Sequence, residues 1–380
     1  MAAPRRRSIR TVGVQTVAAL CLVIGSTACG SGGARLGGGG DTAYVGVAVG
    51  LTNPERYADM FDGAQLAFDE LNAKRPNGAP ILALRRAPAS ATSPVKVATA
   101  FRDDPTVVAV IGHTESAATI DAAPVYADRE HGGRNPMVAV TPASAIAVTR
   151  VSPWIYRINA DMGEQARTLA RYVSDSLNQR RAAVIYRNEP SGKDFLRAFV
   201  DEFSKRGGVV IERDPFTEDI GDFDGYAKRI VMQHAPSVVI SGNTPQIRST
   251  IRALHAAGGA PDVLATNGPS ASDTGDFRGL RYVVLFSAER PVSAEGAHFV
   301  SAFTAKVNHA PNHWGAFGYD GGMMIGQAVH AGGADRAHIR EWFATVGKGR
   351  PAFPGATGEI AFDENRDPVN KTVLVGRVPQ

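Results

Sequence analysis

Only two cysteines occur in these 380 residues, Cys21 and Cys29, and both fall within the first thirty. The rest of the chain can form no disulfide and carries no C-x-x-C motif, so its stability must come from packing. An excess of charge is also lacking. The chain has 41 Lys and Arg against 37 Asp and Glu, but four of the arginines precede Cys29 and no acidic residue does, which leaves 37 of each sign from Cys29 onward. A balanced chain has no concentrated positive field, which argues against nucleic acid or an anionic membrane surface as its partner. Beyond the first thirty residues no apolar run approaches the ~20 residues needed to span a bilayer. Composition, 44% apolar and 21% charged, is that of a globular protein with ample core.

Intact catalytic and metal motifs are missing as well. There is no G-x-S-x-G and no H-E-x-x-H. Ser191-Gly192-Lys193-Asp194 lacks the earlier glycine and the following Ser or Thr of a phosphate loop. Asp363, Asn365 and Asp367 match the first ligands of a calcium loop, but Pro368 and Leu374 stand where the turn glycine and the bidentate Glu belong, and a hairpin turn is the better reading. The nine histidines are scattered, and His113, beside a strand end, reads as structural. No cofactor and no metal is expected, and an enzyme is not.

What is present begins at the N-terminus. Arg5, Arg6, Arg7 and Arg10 precede an apolar run from Val12 to Ile24 and then Ser26-Thr27-Ala28-Cys29, the layout of a secretory signal. Cleavage before Cys29 would leave the chain's only thiol as its first residue, which resembles the lipid-attachment site of a bacterial lipoprotein. An ordinary cleaved signal or a single-pass anchor remains the alternative, with Gln15 interrupting the run and Ser26 where lipoproteins usually have Leu. The arginine run also resembles a twin-arginine export signal. Residues 30–40 form a Gly-rich tract with the composition of a flexible tether. The expectation is a signal peptide over 1–28, a tether over 29–41, and a folded body outside the membrane.

From Ala43 onward, β-branched runs alternate with segments of helical period. Strands are predicted at 44–49, 81–86, 107–111, 137–140, 182–186, 209–212, 237–240 and 262–265. The first helix sets Tyr57, Met60, Phe61, Ala64, Ala67, Phe68 and Leu71 on one stripe. Regular alternation of this kind indicates α/β architecture with parallel sheets covered on both faces, and the number of repeats suggests two sheets. Helices at about 296–308, 315–329 and 337–346 and strands near 359–362 and 373–378 complete the chain. Two strand-to-helix junctions are rich in small and hydroxyl residues, Gly112 to Thr119 and Thr141 to Ala145. Free backbone N–H groups at such junctions attract anions, so the pair forms a plausible carboxylate site. Ser116 and Ser144 could equally serve as helix caps.

The order and spacing of several segments resemble one family. These are Asp62-Gly63-Ala64 in the first helix, Ile111-Gly112-His113 to Thr119, Thr141-Pro142-Ala143, Tyr156-Arg157-Ile158 followed by Gln165, Asp222-Phe223, Gly318-Tyr319-Asp320, and Gly358 to Asp363. Together they are similar to the branched-chain amino-acid (Leu/Ile/Val) substrate-binding proteins of ABC importers, type I periplasmic binding proteins, here in lipoprotein form. The resemblance implies two Rossmann-like lobes joined by a three-strand hinge, with 42–158 plus 288–350 as lobe one and 159–287 plus 351–380 as lobe two. It also implies a ligand held between the lobes. On this likeness the ligand-binding residues are Ser116 for a carboxylate, Ala143 through its backbone, Ser144, Glu115, Asp161, Tyr186, Asn243 and Asn267, with Cys29 carrying the lipid. Ala145 and Met162 replace residues that hold the ammonium in amino-acid binders, and Ser191 replaces a pocket Tyr. The resemblance therefore implies a small polar ligand, an amino-acid derivative or carboxylate over leucine. The implied partners are a permease and an ATPase, with the protein a monomer at the outer face of the cell membrane. A receptor presenting its closed state to a signalling partner is the alternative, and a hydrolase using Ser116 and His113 is a third.

Overall fold

A computed structural model describes residues 42–217, 219–268 and 275–379. The signal, Cys29 and the tether lie outside the described residues. Five strands form a first sheet: β1 (Thr42–Ala48), β2 (Ile81–Arg86), β3 (Val107–Gly112), β4 (Val138–Thr141) and β5 (Ile155–Arg157). All neighbours are parallel, in the order β2-β1-β3-β4-β5. The second sheet contains β6 (Arg181–Arg187), β7 (Val209–Phe216), β8 (Ser237–Ser241), β9 (Asp262–Ala265) and β10 (Arg281–Val284). Its order, β7-β6-β8-β9-β10, repeats that of the first, with a last antiparallel strand added beside β10. The chain therefore builds one topology twice. In each sheet the connections leaving the first strand diverge to opposite sides, and that point lies between β1 and β3 in one sheet and between β6 and β8 in the other.

Period-two side chains explain why both faces are covered. Val138 and Val140 enter one core while Met137 and Ala139 enter the core on the other face. In the second sheet Ala183 and Ile185 face one way, and Ala182 and Val184 the other. Each buried Val or Ile contributes about 1.5–3 kcal/mol. Helices α1 (Ala58–Ala73), α2 (Pro94–Asp103) and α3 (Ser116–Tyr126) cover the first sheet; α4 (Met162–Arg171), α5 (Pro190–Lys205), α6 (Asp224–Met232) and α7 (Thr244–Ala256) cover the second.

The chain passes between sheets after β5, and again after β10. It then adds α8 (Ala294–Val307), α9 (His313–Gly332) and α10 (Arg336–Thr345) to the first sheet's core. A small hairpin, β11 (Phe353–Gly355) with β12 (Gly358–Ile360), follows, and the third passage ends in β13 (Leu374–Arg377) on the second sheet. Phe353, Ala356, Ile360 and Phe362 are buried in the first sheet's core. This hairpin, which follows the lobe boundary expected at 350/351, is held to α9, where Asp320 accepts from Ala356 N and Thr357 N. The short strands β5 and β10 were not anticipated, since three or four residues carry too little periodicity to register.

Helices α1 and α9 meet at very close range. A Cβ on Gly63 would overlap the carbonyl oxygen of Gly315, and one on Gly318 would overlap that of Met60. This glycine-mediated approach fixes where the first turn of α9 lies, at the edge of the cleft.

Candidate functional site

Both topological switch points open onto one cavity of about 210 Å³. Ligands of open parallel sheets sit at the carboxyl ends of strands at such points. The first sheet contributes Arg56 and Tyr57 after β1, Thr114 to Ala117 after β3, and Pro142 and Ser144 after β4. The second contributes Arg187, Glu189 and Ser191 after β6, Ser241 to Asn243 after β8, and Thr266 and Asn267 after β9. Asn159, Met162, Gln165 and Leu285 line it from the passages between the sheets, and His313, Trp314 and Phe317 from the start of α9.

Of the residues expected from sequence, Glu115, Ser116, Ser144, Asn243 and Asn267 come together here, and Ala143, Asp161 and Tyr186 are not among the lining residues. Asp161 instead caps α4, accepting a hydrogen bond from Glu164 N at 2.8 Å. Tyr186 packs against the core beneath β6. Ala143 is buried, its N–H donating to Thr141 Oγ1 at 3.0 Å and its carbonyl accepting from Arg157. Ser116 is the first residue of α3, and its Oγ accepts from Ala145 N at 3.0 Å. It joins the two hydroxyl-rich junctions to each other, and its hydroxyl proton remains available at the helix start.

The loop carrying Ser144 is held with unusual completeness. Six successive carbonyls are bound by the segment 157–162. Ile158 N donates to Thr141 O at 3.0 Å, Asn159 Nδ2 to Pro142 O at 3.0 Å, and Met162 N to Ser144 O at 2.7 Å. The Arg157 guanidinium takes Ala143 O at 3.0 Å, Ala145 O at 2.8 Å and Ile146 O at 3.5 Å. Its Nε also donates to Asp367 Oδ1 at 2.8 Å, and Asp367 further accepts from Thr149 Oγ1 and Arg150 Nη1. Asp367 thus serves an ion pair within a turn, consistent with the rejected calcium loop. Among the described residues no group of three or more His, Cys, Asp or Glu could hold a metal ion.

The charged groups of the cavity differ in how they are engaged. Arg187 and Glu189 pair at 3.1 Å, and Ser191 Oγ donates to Glu189 at 2.8 Å. Glu115 is solvent-exposed and accepts from Tyr57 Oη at 3.3 Å. The Tyr57 hydroxyl is raised above its ordinary value, first by burial and then by Glu115, with Arg56 opposing. His313 is pushed down to about 4 by loss of solvent inside the cleft, with the Arg56 charge adding. Rings of Tyr57 and Trp314 meet edge to face at 4.8 Å, and His313 lies 4.7 Å from Trp314. This ring cluster and Arg56 were not singled out from sequence. The signal available was Asn312-His313-Trp314 opening a glycine-rich helix, with Asn312 Oδ1 accepting from Trp314 N.

A nucleophile and base are not assembled. His113, fully buried and pushed down to about 4 by desolvation, has its Nε2 2.9 Å from Tyr126 Oη, on the side away from the cavity, and does not line it.

The family description "Periplasmic binding protein" matches residues 43–380. The Leu/Ile/Val/Thr-binding protein of Salmonella typhimurium is 27% identical over 57% of this chain, and the match spans 60% of that protein's length. The Leu/Ile/Val-binding protein homolog 1 of Brucella abortus is 23% identical over 85% of this chain and 87% of its own. Among solved structures, a leucine-binding protein of Thermotoga maritima superposes with a TM-score of 0.77 at 24% identity, covering 89% of this chain and 96% of that one. A branched-chain amino-acid transporter substrate-binding protein of Streptococcus pneumoniae gives a TM-score of 0.76 at 20% identity over 88% and 95%.

Proposed function

The chain belongs to the periplasmic binding protein family, and from that premise we propose that it is an extracytoplasmic solute receptor that captures a small polar ligand between two lobes and delivers it to an ABC importer. The observation that carries this reading is the single cavity at the carboxyl ends of both sheets, lined by residues of each. On this reading lobe one comprises about 42–158 and 288–362, and lobe two comprises 159–287 and the C-terminal strand.

Function follows from the differential contacts of the two lobes. A ligand that touches Ser116 and Ser144 on one side and Asn243 and Asn267 on the other gains its full set of contacts only when the lobes are closed, so binding shifts the population toward that form. The permease would then read closure rather than the ligand itself. Lipid attachment at Cys29 is the means of retention that the N-terminal sequence supports. No described helix is long and apolar enough to cross a membrane.

The test is a thermal-shift screen against amino acids, short carboxylates, purines and sugars. A ligand at 100 times its Kd adds about 2.7 kcal/mol to stability. A midpoint raised by one chemical class supports the receptor reading and identifies the solute; no shift across the panel counts against a small-molecule role.

A further inference from the structure

We infer that the cleft is shaped for an acid carried on a flat ring, an aromatic carboxylate with hydroxyl or amide substituents, and not for an aliphatic amino acid. The inference deepens the solute-receptor reading and rests on it. Three features of the cavity lead to it.

The first is where the apolar surface lies. Tyr57, His313, Trp314 and Phe317 form one ring cluster on the first-sheet side, with Trp314 also 6.2 Å from Phe317 and His313 6.0 Å from it. Phe317 and Tyr57 are buried, whereas Trp314 is only half-buried, so part of the indole borders the open cavity. Flat aromatic surfaces favour ring partners in offset or edge-to-face geometry over branched aliphatic chains.

The second is the opposite wall. Ser241, Asn243, Thr266 and Asn267 line the second-sheet side, with no ring among them. Asn267 Nδ2 donates to Gly242 O at 2.8 Å, which leaves its amide oxygen without a partner among the described residues. This wall, half-buried at Asn267, offers hydroxyl and amide groups to polar substituents at the far edge of a ring.

The third is the charge pattern. Arg56 lines the cavity with its guanidinium 5.8 Å from the Tyr57 ring centre and has no carboxylate within 4 Å among the described residues. The other cavity arginine, Arg187, is paired with Glu189. A free guanidinium and the Ser116 hydroxyl together favour a carboxylate. The ammonium of an amino acid finds only Glu115, which lies exposed at the mouth and accepts from Tyr57 Oη at 3.3 Å. Glu189 is engaged by Arg187 and Ser191, Asp161 caps α4, and Glu115 is already solvated at the mouth. An ammonium taken into the cleft without a partner is disfavoured.

The experiment is titration calorimetry of the full-length protein in detergent with benzoate, 4-hydroxybenzoate, leucine and phenylalanine. We expect 4-hydroxybenzoate to bind tightest and leucine at least tenfold more weakly or not at all. Arg56→Gln should weaken 4-hydroxybenzoate at least tenfold with an unchanged melting midpoint, and Trp314→Ala should weaken it to the same degree. Because truncating Trp314 can loosen α9, the surface-neutral Arg56 variant keeps the test decisive. Leucine or phenylalanine binding tighter than both ring acids overturns the inference while upholding a solute receptor, as does unchanged affinity in both variants. Silence from all four probes overturns the ring-acid inference alone, and a wider thermal-shift panel then judges the receptor reading.

Discussion

Ser116 and Arg157 show how differently two polar residues can serve the same loop. Ser116 reaches Ala145 N across the gap between junctions and still offers a proton to the cavity. Ser116→Ala should therefore lower ligand affinity about five- to tenfold, the worth of one hydrogen bond of about 1–1.5 kcal/mol. Stability should also fall by about 1–3 kcal/mol, because the buried Ala145 N–H loses its acceptor, and calorimetry paired with thermal unfolding checks both. Arg157 never meets the cavity but binds three of its loop's carbonyls and Asp367 while fully buried. Arg157→Met leaves these buried carbonyls without their donor and Asp367 with Arg150 as its remaining ion-pair partner, and should cost about 3–5 kcal/mol of stability, read as a lowered urea midpoint. The sequence offered Ser116 as a site residue through the family resemblance, with a helix cap as the equal alternative, and the residue lines the cavity. It placed Arg157 within the Tyr156-Arg157-Ile158 segment but could not reveal its role, because its partners lie 11 to 14 residues back and 210 residues ahead.

At the scale of elements, the α1–α9 contact decides where the ring cluster stands. Gly63 and Gly318 let the two backbones approach, and α9 then starts with His313 and Trp314 at the cleft. Gly318→Val should force the helices apart, at about 1–3 kcal/mol for an overpacked core position. It should also weaken binding, because Trp314 moves with the helix; near-ultraviolet circular dichroism of the tryptophans reports the shift. A change in stability with unaltered tryptophan signal and affinity would contradict this role. The helical stripe of α1 was legible because seven apolar residues repeat at spacings of three and four. The cleft-facing start of α9 was not, since a helix buried nearly all round shows no stripe that separates core from site.

At the scale of the whole molecule, two desolvated imidazoles, one in the core and one at the cavity wall, shape the acid response. His113 and His313 are each pushed down to about 4 from an ordinary 6.5. The unfolded chain binds protons at both sites between these values while the folded chain does not, so stability should rise with pH from about 4 to 6.5 and carry no further contribution from them above that. Carboxylates held low by their partners, such as Asp128 beside His131 and Arg102, act at lower pH, below their ordinary value of 3.8. Urea titrations at pH 4.5, 5.5 and 7 should show the slope, and His113→Gln should reduce it. A flat profile across that window would show that both rings take up protons in the folded state. Alternation of β-branched and amphipathic runs determined by itself that the protein is α/β with two parallel sheets, because side-chain period and burial are local consequences of backbone geometry. The expectation of a signal segment and of lipid attachment at Cys29 rests on the sequence alone. Only the tertiary structure decided that both sheets share one topology, that the 353–362 hairpin belongs with the first, and that Arg56, Trp314 and Asn267 border the same cavity. Those facts depend on which distant segments pack together, and that is fixed by the shape and volume of buried side chains summed over the chain rather than by any neighbouring pattern.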